Sequence, residues 1–421
     1  MKPSPSFTLI ELVIVIGILA VLAAVVVIVI NPAEYMKSTR DAQRMSELQT
    51  ISKSIGLYLG DGKTSMGSAN IVYVSIPDSS TTCANLGLPS LPGGWSYSCS
   101  TSANYRKTDG TGWLPIAFNT ISFGNTLDTL PVDPTNTTSS LNYYTYMTGG
   151  SFELTTAMES AKYKMGGTND VSSKDNSSYP ELYEMGSNLT LLPVNYGDTS
   201  LVGYWKFDEG SGTTAYDASG HGNNGTLGCS GGTCSNPSYA AGKLNNSLYF
   251  NPLVASDRSY VSLSANTSVS VPSVSGSSVT ISAWLNPNSS QIGGFFIRNG
   301  NYENYGVKLS GPNAGYYGLI FEGYDTSYHS VSLLSSDIIP PSSWNHIVIV
   351  FTQGQNIQVY FNGIFKKTTS YSYITSQTSP FQIGGIVGGN YNYNGYIDDV
   401  RVYNRSLSAA EIQAIYNATN K

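Results

Sequence analysis

Phe7-Thr8-Leu9-Ile10-Glu11-Leu12-Val13-Ile14 opens a stretch that runs on to Ile30, and from Leu12 onward no residue is charged and only Gly17 interrupts the apolar side chains. At about 1.5 Å per residue, a helix over 7–30 reaches across a bilayer core of roughly 30 Å, so a single-pass membrane helix is expected. Glu11 is the odd residue in it. An unpaired carboxylate in hydrocarbon costs on the order of several kcal/mol, so Glu11 calls for a cation at the same depth. Ahead of the run stand residues 1–6, with Lys2, Pro3 and Pro5. Behind it the chain passes straight into Asn31-Pro32 without the small-residue cleavage site of a secretory signal, so removal after the helix is not expected.

Ser6-Phe7-Thr8-Leu9-Ile10-Glu11 resembles the class III signal of type IV pilins and type II secretion pseudopilins. The resemblance implies that residues 1–6 are a leader, cut between Ser6 and Phe7 by a prepilin peptidase on the cytoplasmic face. It further implies methylation of the Phe7 amine and packing of the helix among other pilin subunits in a filament core. Glu11 would then meet the Phe7 ammonium of a neighbouring subunit, which supplies the cation required above. Ser6 departs from the family, where glycine nearly always stands. The implied location is the inner membrane before assembly and an extracellular surface filament afterwards; the competing reading is a plain signal anchor whose Glu11 sits at the interface.

Only 11% of the 421 residues are charged, the net charge is −6, and tyrosine contributes 31 residues. A nucleic-acid partner would require a basic face, so none is expected; a polar, uncharged, tyrosine-rich surface suits an exposed protein. This length predicts two domains beyond the membrane helix. The four cysteines fall in two close pairs, Cys83 with Cys99 and Cys229 with Cys234, which in an exported chain read as two local disulfides. A four-cysteine zinc site is the weaker alternative, because neither pair has Cys-x-x-Cys spacing.

Asn31-Pro32 should kink or open the helix. Met45, Leu48, Ile51, Ile55, Tyr58 and Leu59 then recur at helical steps, with Lys37, Arg40, Asp41, Arg44, Glu47 and Lys53 between them, so a pilin helix over 7–59 is expected to lay one apolar face on a domain. That domain, a small α+β head over 60–165, should carry strands at 71–76, 113–118, 143–147 and 151–154. Its closing passages, Leu130-Pro131-Val132-Asp133-Pro134 and Tyr143-Tyr144-Thr145-Tyr146, resemble the end of a major-pseudopilin head. Some relatives hold calcium there, which makes Asp128 and Asp133 candidates, although Asp-Pro also forms turns by itself. Residues 166–199, rich in Ser, Asn, Gly and Asp, read as a linker, with a short ordered piece at 179–192, where apolar residues return, left open.

From about residue 200 to 421, short strand-like runs follow one another at close intervals, the pattern of an all-β sandwich. Gly203-Tyr204-Trp205-Lys206-Phe207-Asp208-Glu209-Gly210, Ser343-Trp344-Asn345-His346-Ile347 and Gly395-Tyr396-Ile397-Asp398-Asp399-Val400-Arg401-Val402-Tyr403 resemble the laminin G-like, concanavalin A-like jelly roll. The fold class is therefore multidomain: a transmembrane pilin α-helix, a small α+β head and a jelly-roll sandwich. Ser408 and Glu411 have capping-box spacing, with Leu407, Ile412, Ile415 and Tyr416 giving a terminal helix one apolar face.

Glycosidases on such a sandwich need two carboxylates across a cleft, and Glu303 and Glu322 stand alone. His221, His329 and His346 lack a serine or cysteine elbow, so no catalysis is expected. A structural calcium ion (Ca2+) is the better expectation, since glycine turns let carbonyl oxygens join carboxylates around a hard cation. Asp217, Asn223 and Asp398 would converge if the first and last strands lie together as the resemblance implies, with Asp208 a further ligand; an Asx-turn at Asp217 and an edge-strand role for Asp398 are the competing reading. Tyr302, Tyr305, Tyr316, Tyr317, Tyr324, Tyr328, and Tyr391-Asn392-Tyr393-Asn394 read as loop aromatics flanked by amides, suited to stacking on sugar rings. The expected function is adhesion: a filament subunit whose jelly-roll head binds a glycan or another extracellular polymer. The alternatives are a pseudopilin of a type II secretion or DNA-uptake machine, and a membrane-anchored glycan-active enzyme.

Overall fold

The computed structural model describes residues 8–122, 124, 126–177, 179–230, 234–251, 258–263, 269, 274–289, 294–298, 306–313, 316–324, 327–374, 381–385 and 393–421. Helix α1 (Leu9–Ile30) is 22 residues long, with Glu11 its sole charged residue. Its described side chains, through Leu22, are all exposed. Among the described residues no helix is long and apolar enough to cross a membrane, the described side chains of α1 covering only part of its apolar run.

Asn31 breaks the helix rather than bending it. It adopts a left-handed conformation (φ 43°), and its side chain accepts from the Glu34 amide while Pro32 opens α2 (Pro32–Gly60). Proline is well placed at a first helical position, where its missing N–H has no partner to lose. Leu48, Ile51, Ile55 and Tyr58 of α2 are buried against Trp113, Leu114, Ile116, Phe118, Tyr144, Tyr146 and Leu154 of the head.

The head sheet has the order β2-β1-β3-β4-β5, from β1 (Ile71–Val74), β2 (Ser96–Cys99), β3 (Thr145–Thr148), β4 (Phe152–Ala157) and β5 (Leu182–Gly186). Two departures from the sequence reading have clear causes. The run 113–118 is not a strand: Pro115 offers no amide to a ladder, and the apolar side chains pack into the core beneath α2. Residues 166–199 are not a spacer either. They supply edge strand β5, antiparallel to β4, and Tyr179, Leu182, Leu192 and Tyr196 join the core. The disulfides Cys83–Cys99 and Cys229–Cys234 are both formed.

Among the described residues the jelly roll stacks two sheets of eight strands each. One, the central sheet, runs Ile364–Ser370, Asn356–Phe361, Asn345–Thr352, Ser278–Pro287, Gly395–Tyr403, Asn246–Phe250 and Ser238–Ala241, with Leu201–Trp205 also paired to Gly395–Tyr403. The first and last strands thus lie side by side. One face of this sheet closes the sandwich core with Leu248, Ile281, Leu285, Ile349 and Ile397. Its other face carries Tyr204, Val348, Val350, Tyr360 and Tyr403, which share a core with the head sheet and with helix α3 (Ala409–Thr419).

α3 begins with the capping box expected from Ser408 and Glu411. Ser408→Ala removes one side of that box, and a loss of about 1 kcal/mol in thermal or denaturant unfolding is expected; an unchanged midpoint would show that tertiary packing alone holds the helix.

Candidate functional site

At the amino terminus, Ser6 and Phe7 lie outside the described residues. Glu11 is exposed on α1, and its Oε2 accepts 2.8 Å hydrogen bonds from both the amide and the hydroxyl of Thr8. Nothing else described reaches it, which leaves its outward face open to a neighbour.

The polar face of α2 is not the solvated stripe its sequence suggests. Arg44 is fully buried, bonded through Nε to Asp133 at 2.6 Å, through Nη1 to Asp41 at 2.7 Å, and through Nη2 to Glu159. Burial works against the guanidinium charge, but the hydrogen bond and charge of Asp133, then those of Glu159, raise its pKa above the usual arginine value. Asp133 is likewise opposed by burial and held below the usual carboxylate range by Arg44. The residue proposed above as a calcium ligand therefore serves as an arginine anchor.

A second polar network crosses from the head to the jelly roll. Glu181, in the former linker, accepts from the Tyr403 hydroxyl at 2.5 Å and from the Asn195 amide at 2.5 Å, and lies 3.6 Å from Arg401. Arg401 also meets Tyr204 and Asp399. At the rim, Arg405 bridges Asp198 at 2.6 Å and Glu411 at 2.8 Å. A cleft of about 600 Å³ opens beside this rim, lined by Lys37, Glu159, Lys164, Asp198, Arg405 and Glu411; its acids and Arg405 are already engaged with one another or with α2.

The four expected calcium ligands separate into two pairs. Asp217 accepts from the amides of Tyr204, Ser219 and Asn223, each at 2.9 Å, and the Asn223 side chain donates to the Val202 carbonyl. This is an Asx-type turn that aligns the first strand, with both carboxylate oxygens taken by backbone donors. Asp208 and Asp398 instead line a small cavity together with Lys206, Asn245, Asp399 and Lys421. Asp398 Oδ2 accepts from the Lys243 and Leu244 amides, while Oδ1 is buried without a partner. Burial, and then the neighbouring Asp399, push its carboxyl well above the usual range. Among the described residues no group of three or more His, Cys, Asp or Glu side chains is placed to hold one metal ion.

Of the tyrosines read as ligand contacts, Tyr302, Tyr305 and Tyr391 lie outside the described residues. Tyr317 and Tyr393 are core residues, 0% and 2% exposed, whose hydroxyls donate to the Asn288 and Tyr396 carbonyls; their positions beside turns concealed that they point inward. Tyr324 ends the strand Tyr316–Tyr324, paired with Tyr328. Tyr316 and Tyr328 are exposed as expected. His346 is buried in its strand, Nε2 at 2.8 Å from the Ser282 hydroxyl, and burial followed by the Arg401 charge lowers its pKa to about 3, leaving a neutral packed ring.

Two family profiles match the chain. The Prokaryotic N-terminal methylation motif covers residues 1–27, and the Concanavalin A-like lectin/glucanases superfamily covers residues 257–413. The chain joins a prepilin-type amino terminus to a laminin G-like jelly roll. A curated relative, the Adhesion G-protein coupled receptor V1 of Danio rerio, is 27% identical over 173 residues, 38% of this chain, which spans 3% of that receptor's length. Among solved structures, Domain 4 of AbnA, an extracellular arabinanase from Geobacillus stearothermophilus, in complex with arabinotriose, is similar at 20% identity and a TM-score of 0.38, over 51% of this chain and 98% of that one. The binding domain of Botulinum neurotoxin DC in complex with rat synaptotagmin II is similar at 15% identity and a TM-score of 0.40, over 52% of each chain. In the prepilin–jelly-roll fusion the head between the two matched segments is the joint, held to the jelly roll by Glu181, Arg401 and Arg405.

Proposed function

We propose that this chain is a subunit of a type IV pilus or related filament whose jelly roll contacts a carbohydrate or another extracellular polymer. The observation that carries the reading is the lone carboxylate, Glu11, at the front of α1 inside the matched methylation motif. After removal of residues 1–6, the Phe7 ammonium of one subunit would neutralise the Glu11 carboxylate of the next within the apolar filament core. Helix α2 and the head continue the shaft, and the buried polar seam turns head and jelly roll into one stiff appendage rather than a tethered one. An appendage of that bulk on every subunit would crowd a filament, which favours a minor or tip position.

Sequencing the amino terminus of the mature chain, together with Glu11→Ala, tests this. The chain is expected to start at Phe7, and the variant to be processed but left in the membrane fraction, with filament incorporation lowered at least tenfold. A mature chain starting at Met1, or an alanine variant that still enters filaments, would overturn the reading. Loss of protein secretion or DNA uptake on deletion, with attachment intact, would move the same subunit into a secretion or uptake machine.

A further inference from the structure

Among the described residues, the strand Ile364–Ser370 stands at the edge of the central sheet and is exposed almost throughout. It forms a hairpin with Asn356–Phe361 through the two-residue turn Asn362-Gly363, whose φ values of 50° and 75° are those of a tight hairpin turn. The turn is fastened on two sides. The Asn362 side chain accepts from the His346 amide at 2.8 Å, and Gly363 sits so close to α3 that a Cβ there would fall 2.9 Å from Gln413 and 3.0 Å from Tyr416. What this fixed turn presents is not the polar surface expected of a water-facing edge. Ile364 is 58% exposed and Phe365 49%, and Lys366 and Lys367 follow directly.

A strand from another chain fits this edge poorly. The register slips between Val359 and Tyr360, which leaves Lys366 as the extra residue of a bulge, and a bulge with two adjacent lysines blunts an edge against further pairing. An anionic surface fits it well. Neither lysine meets a carboxylate among the described residues: Lys367 Nζ donates to the Ser332 carbonyl at 3.1 Å, and Lys366 Nζ lies 5.7 Å from the centre of the Phe361 ring. Glu411, the sole acid of the adjoining α3, is occupied by Arg405. An apolar tip backed by cations suits a lipid headgroup layer, with the apolar side chains at the acyl boundary and the lysines among the phosphates.

The bilayer that α1 would enter lies on the same side of the molecule. α2 begins two residues after the apolar run ends at Ile30, and Glu34 in its first turn accepts from the Ala161 amide. Gly166, five residues further on, lies against Ala410 and Glu411 at the start of α3, and Gly363 lies against the next turn of that helix. The hairpin is thus joined by successive contacts to the beginning of α2 rather than to its far end at Gly60.

We propose that the hairpin tip, residues 364–367, docks on anionic phospholipid headgroups of the bilayer that α1 enters before assembly, and so holds the jelly roll against that membrane until the subunit is drawn into a filament. The inference rests on the membrane-and-filament reading above and adds to it a second, lipid-dependent contact.

Hydrogen exchange of the full chain in nanodiscs, of phosphatidylcholine alone or with phosphatidylglycerol added, tests it. Protection of α1 in both discs checks the membrane reading separately. Amides of residues 363–369 should exchange at least about fivefold more slowly in the anionic disc, the effect of one lysine near an anionic surface. Lys366→Glu combined with Lys367→Glu should remove that difference while leaving α1 protected and the unfolding midpoint within a few degrees of the parent. Equal exchange in the two discs, with α1 protected, overturns the docking and leaves the filament subunit standing, whereas an α1 that exchanges freely overturns that reading itself. Lipid-dependent protection that survives in the double variant overturns the role of the lysines. Protection in neutral discs that grows with the number of chains per disc assigns the hairpin to a second copy and overturns the lipid partner.

Discussion

Arg44→Met is expected to destabilise the head by about 3–5 kcal/mol, the range for removing one partner of a buried ion pair. The size follows from what the substitution leaves behind. Asp41 and Asp133 would remain fully buried, with the charge that neutralised them replaced by a thioether. Asp41 keeps its bonds from the Glu159 and Ser160 amides, and Asp133 keeps those from Thr135 and Asn136, so the carboxylates stay ordered without a counter-charge. The damage is also topological. Arg44 is the point where α2, the 128–137 segment and the end of β4 meet, so its loss loosens the seat of α2 on the head.

A double-mutant cycle separates these contributions. Arg44→Met with Asp133→Leu should cost less than the sum of the single changes, because the pair of substitutions removes the desolvated charge together with its partner. Calorimetric unfolding in detergent measures it. An Arg44→Met variant within about 0.5 kcal/mol of the parent, the range of an ordinary surface change, would mean that the network contributes nothing beyond solvation.

The larger architecture was legible because it depends on patterns that composition cannot disguise. The apolar run after Glu11, the helical spacing of Leu48, Ile51, Ile55 and Tyr58, and the β-runs from Leu201 onward all became the expected elements. The return of apolar residues at 179–192 hinted at order there, but five residues, Leu182–Gly186, in a polar stretch do not announce an edge strand. Its pairing to β4 is a tertiary fact. Burial of Asp41 and Arg44 was hidden for the same reason: the helical pattern places them near the apolar stripe, but only the positions of Asp133 and Glu159 make burial tolerable. A legible hint was the i,i+3 spacing of Asp41 and Arg44, which permits an ion pair on either a wet or a dry face.

The head should be more stable at mildly acidic than at alkaline pH, and the cause is a pair of carboxyls on adjacent strands. Thr155 of β4 faces Glu184 of β5, so Glu153, two residues earlier on the same face, is the diagonal neighbour of Glu184. Both are buried. Glu153 Oε2 accepts from the amides of Leu191 and Leu192, whereas the Glu184 carboxyl has no N–H or hydroxyl partner and faces Glu153. Burial raises Glu153 to about 7, partly countered by the Leu192 and Leu191 amides, and burial together with the Glu153 charge pushes Glu184 well above the usual range. Asp175, whose Oδ2 accepts from the Glu184 amide, is raised by burial to about 6. Lys206 and Lys421 are the cations facing this group, and neither offsets the cost of burial.

The sign follows from linkage. A carboxyl with a raised folded pKa binds protons better folded than unfolded, so its favourable contribution is complete below the unfolded value near 4.5 and is lost as pH rises through 7. A shift of this size corresponds to about 3 kcal/mol for Glu153 between those limits. At lower pH the trend reverses, because Asp133 and Glu159 are held down by Arg44 and Arg40 and lose their contribution once protonated. Stability is therefore expected to peak between about pH 4.5 and 6. Glu184→Gln keeps a donor for Glu153 but removes one titration, so it should raise the melting temperature at pH 8 and flatten its slope above pH 6. A parent melting temperature equal at pH 5.5 and pH 8, or a glutamine variant with the parent's slope, would falsify the assignment of that pH dependence to this pair.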